Sequence, residues 1–159
     1  MKVINIHQRV IQAPKPDVLR LFATLATRND QFWPVEHWPR MKFKDGVQIG
    51  ASGGHGPIRY VIEKYDTDGY ISFHFLQPTG FNGMHWLEIN AINDHSTEVR
   101  HTIDMRLSGM GLLTWPLAIK QLHDALLEDA LDKVENQLTG ARKRTRWNLW
   151  VQFLRKILG

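Results

Sequence analysis

The sequence predicts an α+β fold: a curved antiparallel sheet of about seven strands wrapped around a long C-terminal helix, with helical segments after the first strand. Three observations carry that expectation. Residues 41–108 hold short alternating segments divided by turn residues. An apolar stripe at three-to-four spacing then runs from about Leu113 to Leu138. One alternating segment and one short helical pattern precede the others.

Residues 3–11 alternate, with Ile4, Ile6 and Val10 on one face and Asn5, His7 and Arg9 on the other, as in a half-buried strand. Pro14 and Pro16 open a helix with Asp17 in its first turn, and Val18, Leu21, Phe22 and Leu25 form its buried stripe. Asn29, Asp30 and Pro34 end it. Short strands are expected at 41–44 and 47–53, divided by the Asp45-Gly46 turn. A strand near 57–65 puts Ile58, Tyr60 and Ile62 on one face and turns Arg59 outward; Ile71, Phe73 and Phe75 alternate in the next. Strands near 83–93 and 97–108 point His85, Leu87, Ile89, Val99, His101, Ile103, Met105 and Leu107 inward. Gly140 suits the end of the long helix. A sheet of this length and twist cannot close tightly on one helix, so a cavity between them is expected.

The chain has 159 residues, enough for one domain with one core. Hydrophobic content of 43% and charged content of 23% are ordinary for a globular protein. No apolar run reaches the roughly 18 to 20 residues of a membrane span, and the N-terminus shows no signal-peptide pattern. The absence of cysteine excludes disulfides, thiol nucleophiles and cysteine metal sites, and agrees with a reducing, cytoplasmic compartment. The net charge of +4 is unevenly spread. All 16 acidic residues lie at or before Glu135, whereas six of the 20 basic residues follow Gly140. Residues 1–139 have no basic bias, so nucleic acid is not an expected partner.

The segment Trp33–Tyr60 is the most unusual stretch. Trp33-Pro34 and Trp38-Pro39 stand on a segment too broken for a long helix or a central strand, and Gly50, Gly53, Gly54 and Gly56 surround His55. Such a segment looks like the rim of a pocket. Candidate ligand contacts are Trp33, Trp38, His55, Tyr60, Phe75, His85, His101, Trp115 and His123. Imidazole can orient a carbonyl, shuttle a proton or bind metal. The same four histidines also read simply as hydrogen-bonded interior or rim residues, and Phe73 and Phe75 read first as core. No HExxH or similar spacing exists, so no metal, cofactor or catalytic residue is assigned. Asp124, Glu128 and Asp132 share one helical stripe, which reads first as a solvated face eased by Lys120.

Residues 141–159 form a separable tail after a domain spanning 1–140. Trp147, Trp150, Val151, Leu154 and Leu158, widened by Leu149, Phe153 and Ile157, make an apolar helical face; Asn148, Gln152, Arg155 and Lys156 make a polar one. With Arg142, Lys143, Arg144 and Arg146 before it, this is a basic amphipathic helix. Arg146, Trp147, Trp150, Phe153, Leu154, Arg155 and Lys156 are candidate contacts with an anionic membrane surface or a partner protein. Docking on its own domain satisfies the same periodicity.

In element order the chain resembles the START-like, helix-grip superfamily, which includes polyketide cyclases, plant pollen-type allergens, lipid-transfer domains and coenzyme Q-binding proteins. The resemblance covers residues 2–139. Gly50–Tyr60 together with the run His123–Asp132 is similar to a bacterial branch labelled polyketide cyclase-like. It implies a helix-grip fold with a cavity for an apolar or amphipathic small molecule, and it brings no catalytic residue with it. The expected function is binding or transport of a lipid, isoprenoid or polyketide-like compound. A cyclase or dehydratase using pocket histidines as acid and base is the alternative, as is an interaction module recruited through its tail. The expected location is the cytoplasm, with peripheral contact at the inner membrane face.

Overall fold

A computed structural model describes residues 1–158, apart from the side chain of Leu158. The placement of Leu158 on the tail's apolar face therefore lies outside the described residues. Strand β1 (Lys2–Ile11) leads into α1 (Lys15–Phe22), whose Val18 and Phe22 are buried. The Trp-Pro segment follows, and then β2 (Lys42–Phe43), β3 (Ser52–His55), β4 (Ile58–Asp66), β5 (Tyr70–Gln77), β6 (Phe81–Asn93) and β7 (Ser96–Leu107). These strands form one antiparallel sheet in the order β1-β7-β6-β5-β4-β3-β2. Each neighbour pair from β2 to β7 is consecutive in the chain, and β1 closes the far edge against β7.

A continuous helical run follows the sheet: α2 (Gly111–Thr114), a π turn (Trp115–Ile119) and α3 (Lys120–Thr139). Pro116 explains the π turn, because its ring displaces the carbonyl of the preceding turn and it has no N–H to donate. Gly140 ends α3 in the left-handed conformation, with φ 69°, and its N–H donates to Asn136 O. Helix α4 (Leu149–Leu158) returns across α3 and buries Val151 and Leu154. The main core lies between the inner sheet face, α1 and α3.

Two expectations need correction. The strand expected at 47–53 begins only at Ser52, because Gly50 takes a positive φ of 85° and interrupts the extended chain. In β1 the apolar set faces outward. Ile4, Ile6 and Val10 are the exposed set, while Asn5, His7 and Arg9 face α3. The acidic row of α3 accordingly is not a solvated face: Asp124, Glu128, Asp132 and Glu135 meet Asn5, His7 and Arg9 across it. Alternation gives the period and not the covered side, since partnered charges can also occupy an inner face.

Candidate functional site

The sheet and α3 enclose a cavity of about 750 Å³. Its walls are mostly apolar, with Phe73 and Phe75 from β5, Ile103 from β7 and Leu122 and Leu126 from α3. The long β6–β7 pair carries the polar exception. His85 lies opposite Ile103, and His101 lies opposite Leu87, so the two imidazoles are diagonal neighbours on one face. His85 Nδ1 and His101 Nε2 are 3.1 Å apart and share a hydrogen bond. His123 from α3 packs its ring 5.0 Å from that of His101 and 6.2 Å from Trp115. His85 also stacks on Phe73 and Phe75, each at 4.7 Å.

Three ring nitrogens in this cluster are buried without a protein partner: His85 Nε2, His101 Nδ1 and His123 Nδ1. Burial lowers the pKa of all three rings, neighbouring histidines add to it for His85 and His101, and for His123 burial prevails over the opposing pull of Asp124, so each is neutral at physiological pH. A neutral imidazole has one donor nitrogen and one acceptor nitrogen. The His85–His101 bond therefore leaves one free donor and one free acceptor on the pair. If His85 donates from Nδ1, its Nε2 is the acceptor and His101 Nδ1 carries the donor; the opposite tautomers exchange these roles.

Trp33, Trp38 and His55 also line the cavity. The Asp30 carboxylate accepts hydrogen bonds from the backbone N–H groups of Phe32 and Trp33 and so shapes the turn that aims Trp33 inward. Trp33 Nε1 donates to Pro39 O at 2.9 Å, closing the Trp-Pro segment on itself. Lys133 of α3 donates to Asp30 O and Trp33 O and pairs with Glu36, pinning the segment to the helix. His55 Nδ1 lies 2.9 Å from the Tyr60 hydroxyl, and burial pushes its imidazole down to about 3. Tyr60 itself is fully buried behind the cavity wall, where it holds His55. The glycines before His55 serve strand pairing: a Cβ on Gly53 would stand 2.1 Å from Lys42 O of β2.

No family model matches the chain, and no curated protein matches it. Solved structures do match. A solution structure from Thermobifida fusca superposes with a TM-score of 0.66 at 13% identity, covering 89% of this chain and 99% of that one. Norcoclaurine synthase from Thalictrum flavum gives 0.65 at 10% identity, covering 88% and 96%. A START superfamily protein from Mycobacterium smegmatis gives 0.58 at 12% identity, covering 86% and 97%. The fold is the START-like helix grip. At these identities the likeness speaks for the fold alone.

Beneath the helix grip's long helix lies a second polar cluster, in which the acidic stripe of the sequence finds partners that pattern reading did not supply. His7 sits opposite His101 in the β1–β7 ladder. Its Nδ1 lies 2.8 Å from Glu128 and its Nε2 2.9 Å from Asp124. Ionised carboxylates only accept, so both ring nitrogens donate and His7 is an imidazolium. Burial alone would lower its pKa, but the bonds and charges of Asp124 and Glu128 outweigh that and raise it. Arg9 bridges Glu128, Asp132 and Glu135, and Lys120 reaches Asp124. His7, His123 and Asp124 come close enough to share a cation, but protein cations already balance these carboxylates.

The tail divides. Trp147, Leu154 and Arg155, grouped by the sequence with the outer contact face, turn toward their own domain. Trp147 Nε1 and Trp38 Nε1 both donate to Asp129 Oδ2, at 2.9 and 2.7 Å. The Arg155 guanidinium stands 4.3 Å from the Trp38 ring and 4.8 Å from the Trp147 ring, and it forms part of the cavity wall. Arg146, Trp150, Phe153 and Lys156 stay exposed. Asp129 is thus the anchor of the cavity's closure. The only signal for it in the sequence was a carboxylate one position off the acidic row, beside Ala130.

Proposed function

We propose that this protein binds or carries an apolar or amphipathic small molecule, such as a lipid, isoprenoid or polyketide-like compound, within the helix-grip cavity. The observation that carries the reading is a roomy, mostly apolar chamber in which neutral His85, His101 and His123 keep three unpartnered nitrogens. Its volume suits a small-molecule site. Burial of the ligand's apolar body supplies affinity at roughly 25 cal/mol per Å² before binding costs. One donor and one acceptor on the His85–His101 pair suit a ligand end carrying both functions, such as a carboxylic acid or an enol beside a carbonyl. Norcoclaurine synthase, a neighbour in fold, is solved with dopamine and hydroxybenzaldehyde, which supports small aromatic molecules as occupants of such a chamber.

Native mass spectrometry of the purified chain tests the reading by seeking a retained small molecule. Leu122 lines the cavity from α3 and is only partly buried, so Leu122→Trp fills the chamber with little strain. It should cut ligand retention at least tenfold while the melting transition stays cooperative. Full retention in that variant would place the ligand elsewhere.

The lowered pKa values favour a second reading, in which a neutral pocket imidazole removes a proton beside a carbonyl. His85→Ala with His101→Ala separates the two. A binder keeps measurable affinity for the ligand, whereas an enzyme loses turnover by roughly 100-fold or more. The lack of cysteine supports a reducing, cytoplasmic setting for either.

A further inference from the structure

Helix α4 uses only part of its apolar circumference to pack on the domain. Val151 and Leu154 are buried, while Leu149, Trp150, Phe153 and Ile157 are 83, 46, 50 and 62% exposed. A second element extends that outward strip. Trp150 Nε1 donates to Leu117 O at 2.7 Å, joining α4 to the π turn. Leu113 of α2 and Leu117 of that turn are 56 and 60% exposed, and Met110 and Leu112 nearby are exposed as well. Trp150 and Phe153 stack at 5.4 Å in the same strip. Two elements distant in sequence thus build one exposed apolar face, far more than the isolated surface leucines of an ordinary monomer.

The segment that leads into α4 carries charge of one sign. Arg142, Arg144, Arg146 and Lys156 are exposed and, among the described residues, make no ion pair. The nearby carboxylates are taken: Asp129 by two indoles, Asp132 and Glu135 by Arg9, Thr145 and Lys143. The face also adjoins the cavity, since Trp115, Ala118, Ile119 and Arg155 line it and neighbour Leu117 and Trp150 in the chain or across the contact.

The geometry points to an anionic bilayer surface as the partner of this composite face, seated where α2, the π turn and α4 meet. A second copy of the chain fits poorly, because a symmetric contact through α4 would bring two sets of like charge together. A bilayer supplies both matching components: anionic headgroups for the arginines and an apolar boundary for Trp150, Phe153, Leu113 and Leu117. It is also a reservoir for apolar molecules. This inference rests on the ligand-carrying reading and adds its source: the cavity is closed by the element that touches the membrane, with Arg155 on the inner side of α4 and the lipid-facing strip on its outer side.

The test is cosedimentation of the full chain with vesicles of phosphatidylcholine alone and of phosphatidylcholine with about one-third phosphatidylglycerol. Binding is expected on the anionic vesicles and should weaken as salt rises. Arg142→Gln, Arg144→Gln and Arg146→Gln together should lower the partition coefficient by about 100-fold at low salt. Leu113→Glu with Leu117→Glu leaves the tail sequence untouched and should also abolish binding; Phe153→Glu with Ile157→Glu gives the same readout from α4 should the first pair unfold. Absence of binding overturns the inference, as does equal binding to both lipids or indifference to the Leu113/Leu117 pair. A dimer in light scattering that the same substitutions dissociate would assign the face to a second copy instead. Titration with N-phenyl-1-naphthylamine, a neutral apolar probe, without vesicles reads the cavity separately. Probe binding without vesicle binding rejects only the membrane surface. Vesicle binding without probe binding removes the container and leaves the docking face.

Discussion

His85 and His101 share one hydrogen bond inside an apolar wall, and their protonation is tied to the stability of the fold. In the folded chain burial holds both below the ordinary 6.5; in the unfolded chain they titrate near it. The unfolded state therefore binds more protons below pH 6.5, and stability falls as pH drops through that window, by at most about 1.4 kcal/mol per pH unit for each ring. His7 has the opposite sign. Its raised pKa contributes stability that is complete below 6.5 and is lost as pH rises through the folded value. Urea denaturation at about pH 7 and about pH 5 should show the wild type weakening in acid. His85→Phe with His101→Phe should flatten that slope, and a slope unchanged by the pair would assign it to other groups. A second residue-scale expectation concerns Asp129, which accepts from Trp38 and Trp147. Asp129→Ala should cost about 1–3 kcal/mol and speed hydrogen exchange in residues 149–157, whereas Asp129→Asn, which keeps a carbonyl acceptor, should cost less.

Among the elements, β1 and α3 show what pattern reading could and could not recover. Period-two alternation placed Ile58, Tyr60 and Ile62, and also His85 and His101, on their correct faces because those strands back onto apolar core. The same rule left open which face of β1 is covered, because its partner is the charged row of α3 rather than core. Periodicity reports that two faces differ; which face is covered depends on a partner more than a hundred residues away. The segment Trp33–Pro39 was legible as irregular from its prolines, but Lys133, which pins it, carried no local signal. If the β1–α3 contact is a buried charge network, removing its central cation must be costly. Arg9→Ala should lower stability by about 3–5 kcal/mol, since Asp132 and Glu135 would remain buried beside each other. Arg9→Ala with Asp132→Ala should recover part of that loss in a double-mutant cycle. A loss below about 0.5 kcal/mol for Arg9→Ala would mean that solvent screens the network.

Across the whole molecule, one architecture accounts for the separate features. A sheet ordered β1-β7-β6-β5-β4-β3-β2 curves around α3, and strongly twisted strands leave room beneath one helix. The sequence disclosed that room through its element order. The closure was hidden, because an amphipathic tail satisfies the same spacing whether its apolar side meets a membrane, a partner or its own domain. In this fold one side of it meets its own domain: Val151 and Leu154 lie against it, and Trp150 and Phe153 remain outside. Titration of the full chain with N-phenyl-1-naphthylamine tests the container most directly. The account predicts saturable one-to-one binding with enhanced probe emission, weakened at least tenfold by Leu122→Trp in a protein that still melts cooperatively. Emission that never saturates, or that is indifferent to Leu122→Trp, would contradict it.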